Sequence, residues 1–130
     1  MRILDKTKTL FGTFIELPTP ASIEIAAHAG WDFVVIDCEH APISTSMLPG
    51  YLRAAEAAGI PAIVRVAMNN AEWLQAALDS GAAGVQIPQI ASVDQAKSAV
   101  LNGLSSVDAQ RGYRHALEEF IDWYCSRGDP

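Results

Sequence analysis

One rhythm constrains what this chain can fold into. Short apolar runs alternate with helical segments, and each return from helix to run carries a small residue followed by glycine. Ala29-Gly30, Ala58-Gly59 and Ser80-Gly81 all stand just before an apolar stretch. A helix that must stop and feed a buried parallel strand uses this pairing, because glycine turns the chain at little steric cost. Residues 10–17 make the first expected strand, closed by Pro18 and Pro20, and Pro20 opens a helix over 21–29. Residues 32–37 (DFVVID) are a continuous apolar run between acids, as a strand buried on both faces requires. Ser44, Thr45 or Ser46 can cap the next helix, which runs to Ala58. Residues 62–66 form the third strand, Asn69 or Asn70 caps the helix ending at 79–81, residues 84–88 form the fourth strand, and a fourth helix runs from about Ser92 to Gly103.

Four consecutive βα units fit either a small doubly wound sheet or part of a (β/α)₈ barrel. The first turn reads Leu17-Pro18-Thr19-Pro20, so the glycine-rich dinucleotide fingerprint is absent and a nucleotide binder is disfavoured. A complete barrel takes roughly 250 residues, and the sequence has 130. The expected fold is α/β, with parallel units forming about half of a TIM barrel over 1–103. A linker and a C-terminal amphipathic helix follow over 104–130. Tyr113, Leu117, Phe120, Ile121 and Tyr124 recur on one stripe of that helix, suited to packing over sheet or another subunit.

Bulk properties exclude several partners. A net charge of −6 with nine Lys and Arg that do not cluster argues against nucleic acid and anionic membranes. Cys38 and Cys125 lack zinc-site spacing, no run is long enough to span a bilayer, and the charged N-terminus does not resemble a signal peptide. A cytoplasmic protein with two reduced thiols is expected.

Barrel enzymes place their chemistry at the carboxyl ends of the strands. The polar residues there are Asp37, Glu39 and His40 after the second strand, Arg65 in the third and Gln86 in the fourth. Asp37, three positions before His40, can orient the imidazole and hold the tautomer that accepts a proton. Turn formation by Asp37 and a solvated His40 are the plainer alternative. Arg65 interrupts an apolar strand with a charge it cannot lose, so it needs an anion: Asp37 or Glu39 in a structural ion pair, or a bound substrate. It can grip a carboxylate at two points or stabilise an oxyanion.

The segments GTFIELP (12–18), AGWDFVVIDCEHAP (29–42), IVRV (63–66) and LDSGAAGVQIP (78–88) resemble, in order and spacing, the HpcH/HpaI family of class II, metal-dependent aldolases of 2-oxo acids. The resemblance covers residues 10 to about 100, with a further Arg111-Gly112 step. It implies a carbon–carbon lyase that forms a pyruvate enolate on a divalent cation (Mg²⁺, Mn²⁺ or Co²⁺). Arg65 would contact the keto oxygen, His40 would move the proton with Asp37 orienting it, and Glu39 would hold a water. Phe14 and Gln86 would join Arg65 in binding substrate. Asp79 also matches, but it ends the third helix and would have to act across a subunit contact.

The metal ligands implied by the resemblance lie on later strands, so none is expected within this chain. Glu118, Glu119, Asp122 and Asp129 match no ligand motif and read as a solvated acidic face, with His28 and His115 as surface or structural residues. Weak or absent turnover by the chain alone is expected. The substrates would be a small 2-oxo acid and an aldehyde. Unpaired edges at the first and fourth strands predict a homo-oligomer or a complementary half-barrel. The competing reading is a non-catalytic module that keeps an anion pocket at Arg65.

Overall fold

The computed structural model describes residues 7–104 and 106–126; the side chains of 112, 116, 117 and 120–126 are outside the description. Four strands, β1 (Gly12–Ile15), β2 (Phe33–Asp37), β3 (Ala62–Arg65) and β4 (Gly84–Gln86), alternate with helices α1 (Ala21–His28), α2 (Leu48–Ala58), α3 (Ala71–Asp79) and α4 (Val93–Asn102). The sheet is parallel throughout, in the order β1-β2-β3-β4. Crossovers between neighbouring parallel strands are right-handed, so a sheet built always in one direction carries all its helices on one face. A doubly wound sheet reverses direction and covers both faces. The described residues therefore form part of a (β/α)₈ barrel, with β1 and β4 as the edge strands among them.

The register sorts the side chains. Ile15, Ile36, Val64 and Val85 align across the strands. The first three are fully or almost fully buried in one core with Ile23, Leu48, Tyr51, Leu52 and Leu74 from the helices. The opposite, concave row is Phe14, Val35, Ile63 and Gly84. Phe14 is 48% exposed there. Gly12 has a specific reason to be glycine, because a Cβ at this position would stand 2.3 Å from the Phe33 ring beside it. At the strand mouths the Tyr51 hydroxyl donates to the Leu17 carbonyl (3.0 Å), fastening the β1–α1 connection to α2.

The helix punctuation follows the sequence closely. Gly30, Gly59 and Gly81 all take positive φ, where other residues are strained. Asn70 rather than Asn69 caps α3, accepting from Trp73 N at 3.0 Å. Ser92 caps α4 by accepting from Gln95 N at 3.2 Å.

Several boundaries differ from expectation. The first strand is Gly12–Ile15, not 10–17, because Phe11 and Leu17 are exposed rather than sheet-buried. The fourth stops at Gln86, before Pro88. None of the three hydroxyls at 44–46 caps α2. Ser44 and Ser46 hydrogen-bond each other (2.9 Å), a 3₁₀ turn Thr45–Met47 intervenes, and Pro49 enters the first turn of α2. The last helix, α5 (Val107–Ser126), starts earlier than Tyr113 because the Ser106 hydroxyl accepts from Ala109 N (3.0 Å). It packs against α4. Tyr113 is exposed, and the side chains of Leu117, Phe120, Ile121 and Tyr124 lie outside the described residues.

No helix among the described residues is long and apolar enough to cross a membrane. The Cys38 thiol is free and buried, and its pKa is pushed up to about 12 by burial and by the neighbouring Asp37 charge. A thiol so rarely ionised is a poor nucleophile. Cys125, Asp122 and Asp129 fall outside the description of side chains.

Candidate active site at the carboxyl edge of the sheet

Parallel pairing places Asp37, Arg65 and Gln86 side by side, one on each of β2, β3 and β4, on the concave face. Asp37 is fully buried. A buried carboxylate is costly unless its lone pairs are filled, and here they are. Oδ1 accepts from Arg65 Nε (2.9 Å), from Glu39 N (2.9 Å) and from His40 N (3.2 Å). Oδ2 accepts from Arg65 Nη2. The chain leaving β2 thus folds back around the Asp37 side chain, which fixes where Glu39 and His40 stand. Burial alone would raise the Asp37 pKa. The hydrogen bond from Arg65, the two backbone amides and the guanidinium charge outweigh it and hold the carboxyl at about 2.

Arg65 is 18% exposed, and its pKa is raised by the Asp37 hydrogen bond and by the charges of Asp37, Glu39 and Glu16. Its Nε–Nη2 edge is spent on Asp37. Its Cζ lies 4.7 Å from the centre of the Phe14 ring, so that aromatic face supports the guanidinium. Glu39 Oε2 stands 3.5 Å from Nε. With one edge engaged, Nη1 remains to meet a ligand, which suits a single oxyanion better than a two-point carboxylate grip.

His40, 61% exposed, points Nδ1 into this cluster. Arg65 Nη2 is 2.8 Å away, Asp37 Oδ2 3.4 Å and Glu39 Oε2 3.9 Å. A guanidinium can only donate, so Nδ1 accepts and the neutral ring carries its proton on Nε2. Asp37 was expected to set the tautomer. Arg65 sets it instead, because its Nη2 stands nearer to Nδ1 than Asp37 Oδ2 does, and Asp37 acts on the His40 backbone.

The remaining expected residues divide. Phe14 and Gln86 share the concave face with Arg65. Asp79 sits at the last position of α3, where the next residues, Ser80 and Gly81, line a cavity with Pro61 and Ala62 at the amino ends of the strands. It is on the opposite rim from His40. Glu118 and Glu119 are exposed on α5. Two residues escaped the sequence reading: Glu16, one position past β1, whose charge reaches Arg65, and Gln89, whose Nε2 donates to Glu39 Oε1 at 3.3 Å. Both stand within three positions of a strand end, at β1 and β4, as Glu39 and His40 do at β2.

The donor set does not suit a divalent cation. Among the described residues no cluster of three His, Cys, Asp or Glu side chains could hold one. Asp37 is saturated and Glu39 is shared between Arg65 and Gln89, so the nearest carboxylates already face cations or donors.

Comparison with known proteins points to one family. The HpcH/HpaI aldolase/citrate lyase family profile matches residues 10–118. A hydroxypyruvate/pyruvate aldolase of Paraburkholderia phytofirmans is 36% identical over 120 residues, covering 88% of this chain and 46% of that protein. The crystal structure of an HpcH/HpaI aldolase from Desulfitobacterium hafniense superposes with a TM-score of 0.69 at 30% identity, over 77% of this chain and 39% of the other. That of the citrate synthase SbnG gives 0.71 at 34% identity, over 85% and 48%. The chain spans about half the length of the relatives it matches, or less.

Proposed function

The chain belongs to the HpcH/HpaI aldolase/citrate lyase family, and on that premise we propose that it carries the arginine–histidine half of a lyase site for 2-oxo acids of the pyruvate type, with an aldehyde as second substrate. The observation that carries this reading is the meeting of Arg65 Nη2 and His40 Nδ1 at 2.8 Å, over a buried carboxylate that accepts from the Arg65 side chain and the His40 backbone.

The residues divide the work as follows. When a proton leaves the carbon next to the keto group, the electron pair moves onto the keto oxygen, and Arg65 Nη1 donates to the oxyanion that develops. Asp37 and the Phe14 ring hold the guanidinium plane, so this donor does not reorganise during the step. His40 takes that proton at Nε2, and the imidazolium so formed is the proton-giving form, returning it to the enolate or to an aldehyde oxygen. The proton-taking form requires the proton on Nδ1, directed at Asp37 Oδ2. Reaching it from the Nε2 tautomer exchanges the Arg65 contact for the Asp37 one. Glu39 orders a water beside them, and Gln86 lies where it can touch substrate.

The cation that the family uses (Mg²⁺, Mn²⁺ or Co²⁺) would be held by residues beyond these four strands. Asp79 would reach a site only in a neighbouring subunit. The open edges of β1 and β4 call for a second copy or a complementary half-barrel in a cytoplasmic assembly. Light scattering after size exclusion is expected to give a mass of at least two chains; a monomer at dilute concentration contradicts that assembly.

Calorimetry with oxalate, a planar mimic of the enolate, tests the function. With Mn²⁺ present, oxalate is expected to bind, and Arg65→Ala to abolish the heat. No binding in either state refutes the reading. The second reading, a non-catalytic anion-binding module, draws on the fact that Asp37 already neutralises Arg65 without any substrate. It requires oxalate binding that ignores metal yet disappears in Arg65→Ala.

A further inference from the structure

Gln89 is the residue the mechanism does not use and the backbone treats as special. Its φ is +57°, and among the described residues it is the non-glycine residue with positive φ. L-residues adopt this conformation at a cost, and glutamine has no side-chain means of offsetting it, unlike asparagine. The other positive-φ positions of the fold are glycines at helix ends, where the turn itself needs the conformation. Gln89 instead follows Pro88, just past the carboxyl end of β4, at the mouth of the sheet.

What the strained turn accomplishes is visible in its side chain. The Gln89 amide crosses from the β4 mouth to the β2 mouth and donates to Glu39 Oε1 at 3.3 Å. The other oxygen, Oε2, stands 3.5 Å from Arg65 Nε and 3.9 Å from His40 Nδ1. Gln89 also lines an open cavity of about 510 Å³, so crowding does not force the side chain toward Glu39. Strain held at the edge of a site, where a relaxed residue would fold as well, marks a function for that strain.

We infer that Gln89 is a positioning residue: the left-handed turn at β4 is kept in order to aim its amide at Glu39 and fix that carboxylate against Arg65 and His40. A single glutamate oxygen is then left facing the cluster. The inference deepens the lyase reading and rests on it for its catalytic consequence, but not for the contact itself.

The experiment uses the whole chain in three measurements. In ¹⁵N–¹H spectra, Glu39→Ala is expected to move the Gln89 side-chain amide to the position of free glutamine. In urea denaturation, Gln89→Gly is expected to be as stable as the parent or more so, by roughly threefold in the unfolding constant, because glycine relieves the turn. In deuterium exchange of pyruvate methyl protons with Mn²⁺, the same variant is expected to lose about tenfold in kcat with KM within about twofold, as misplacement of a group rather than lost binding predicts. An unmoved Gln89 amide in Glu39→Ala overturns the inference. So does a Gln89→Gly variant that loses stability together with exchange, since that is a purely structural role. A parent chain that exchanges no deuterium reflects the cation ligands that lie beyond these strands, and the amide and stability measurements then decide the Gln89 inference.

Discussion

Replacing Asp37 with asparagine is expected to lower folding stability by about 2–3 kcal/mol at neutral pH, read from urea denaturation. The substitution preserves shape, and its carbonyl can still accept from the amides of Glu39 and His40. The loss therefore isolates the charge facing Arg65, which keeps some access to solvent. The acid range offers a sharper check. Folding lowers the Asp37 pKa from 3.8 to about 2, so its contribution is fully present above 3.8 and drains away as pH falls through about 2. The gap between the parent and Asp37→Asn should accordingly close over that interval. A gap that stays constant from pH 7 down to 2 would mean that the ion pair contributes nothing through its charge.

On the proposed lyase reading, Arg65→Lys is expected to keep the fold while pyruvate exchange falls by about 100-fold. The lysine ammonium is a point charge. It can reach one Asp37 oxygen, but it cannot span Oδ1 and Oδ2 together while donating to His40 and presenting a further N–H outward. Three constraints that one rigid plane satisfies would compete for one nitrogen. Near-parental exchange in Arg65→Lys would show that net positive charge is enough and that the planar geometry is incidental.

The sheet was readable in the sequence because its signals are local. Uninterrupted apolar runs at 32–37 and 62–66, each preceded by a helix-ending glycine, leave few alternatives once both faces of a strand must be covered. Arg65 was legible for the reverse reason, as a permanent charge in a buried run that demands a partner. Features set by tertiary context were harder to see. Phe11 and Leu17 look like strand residues but are exposed at the ends of β1, and the Ser44 and Ser46 hydroxyls pair with each other instead of capping α2. The tautomer of His40 could not be read from its three-residue spacing to Asp37, since it depends on how near Arg65, on the next strand, comes to Nδ1. Gln89 stayed hidden because nothing in its residue type announces a left-handed backbone.

The nearest-neighbour order of the strands has a consequence for how the protein matures. Asp37 and Arg65 are 28 residues apart, joined by a single crossover, so their lock can close as soon as the third strand docks on the second. Low sequence separation of this kind favours rapid assembly. The contact between Asp37 and Arg65 therefore needs only β2, β3 and the helix between them, and is among the short-range contacts that such a sheet can form early.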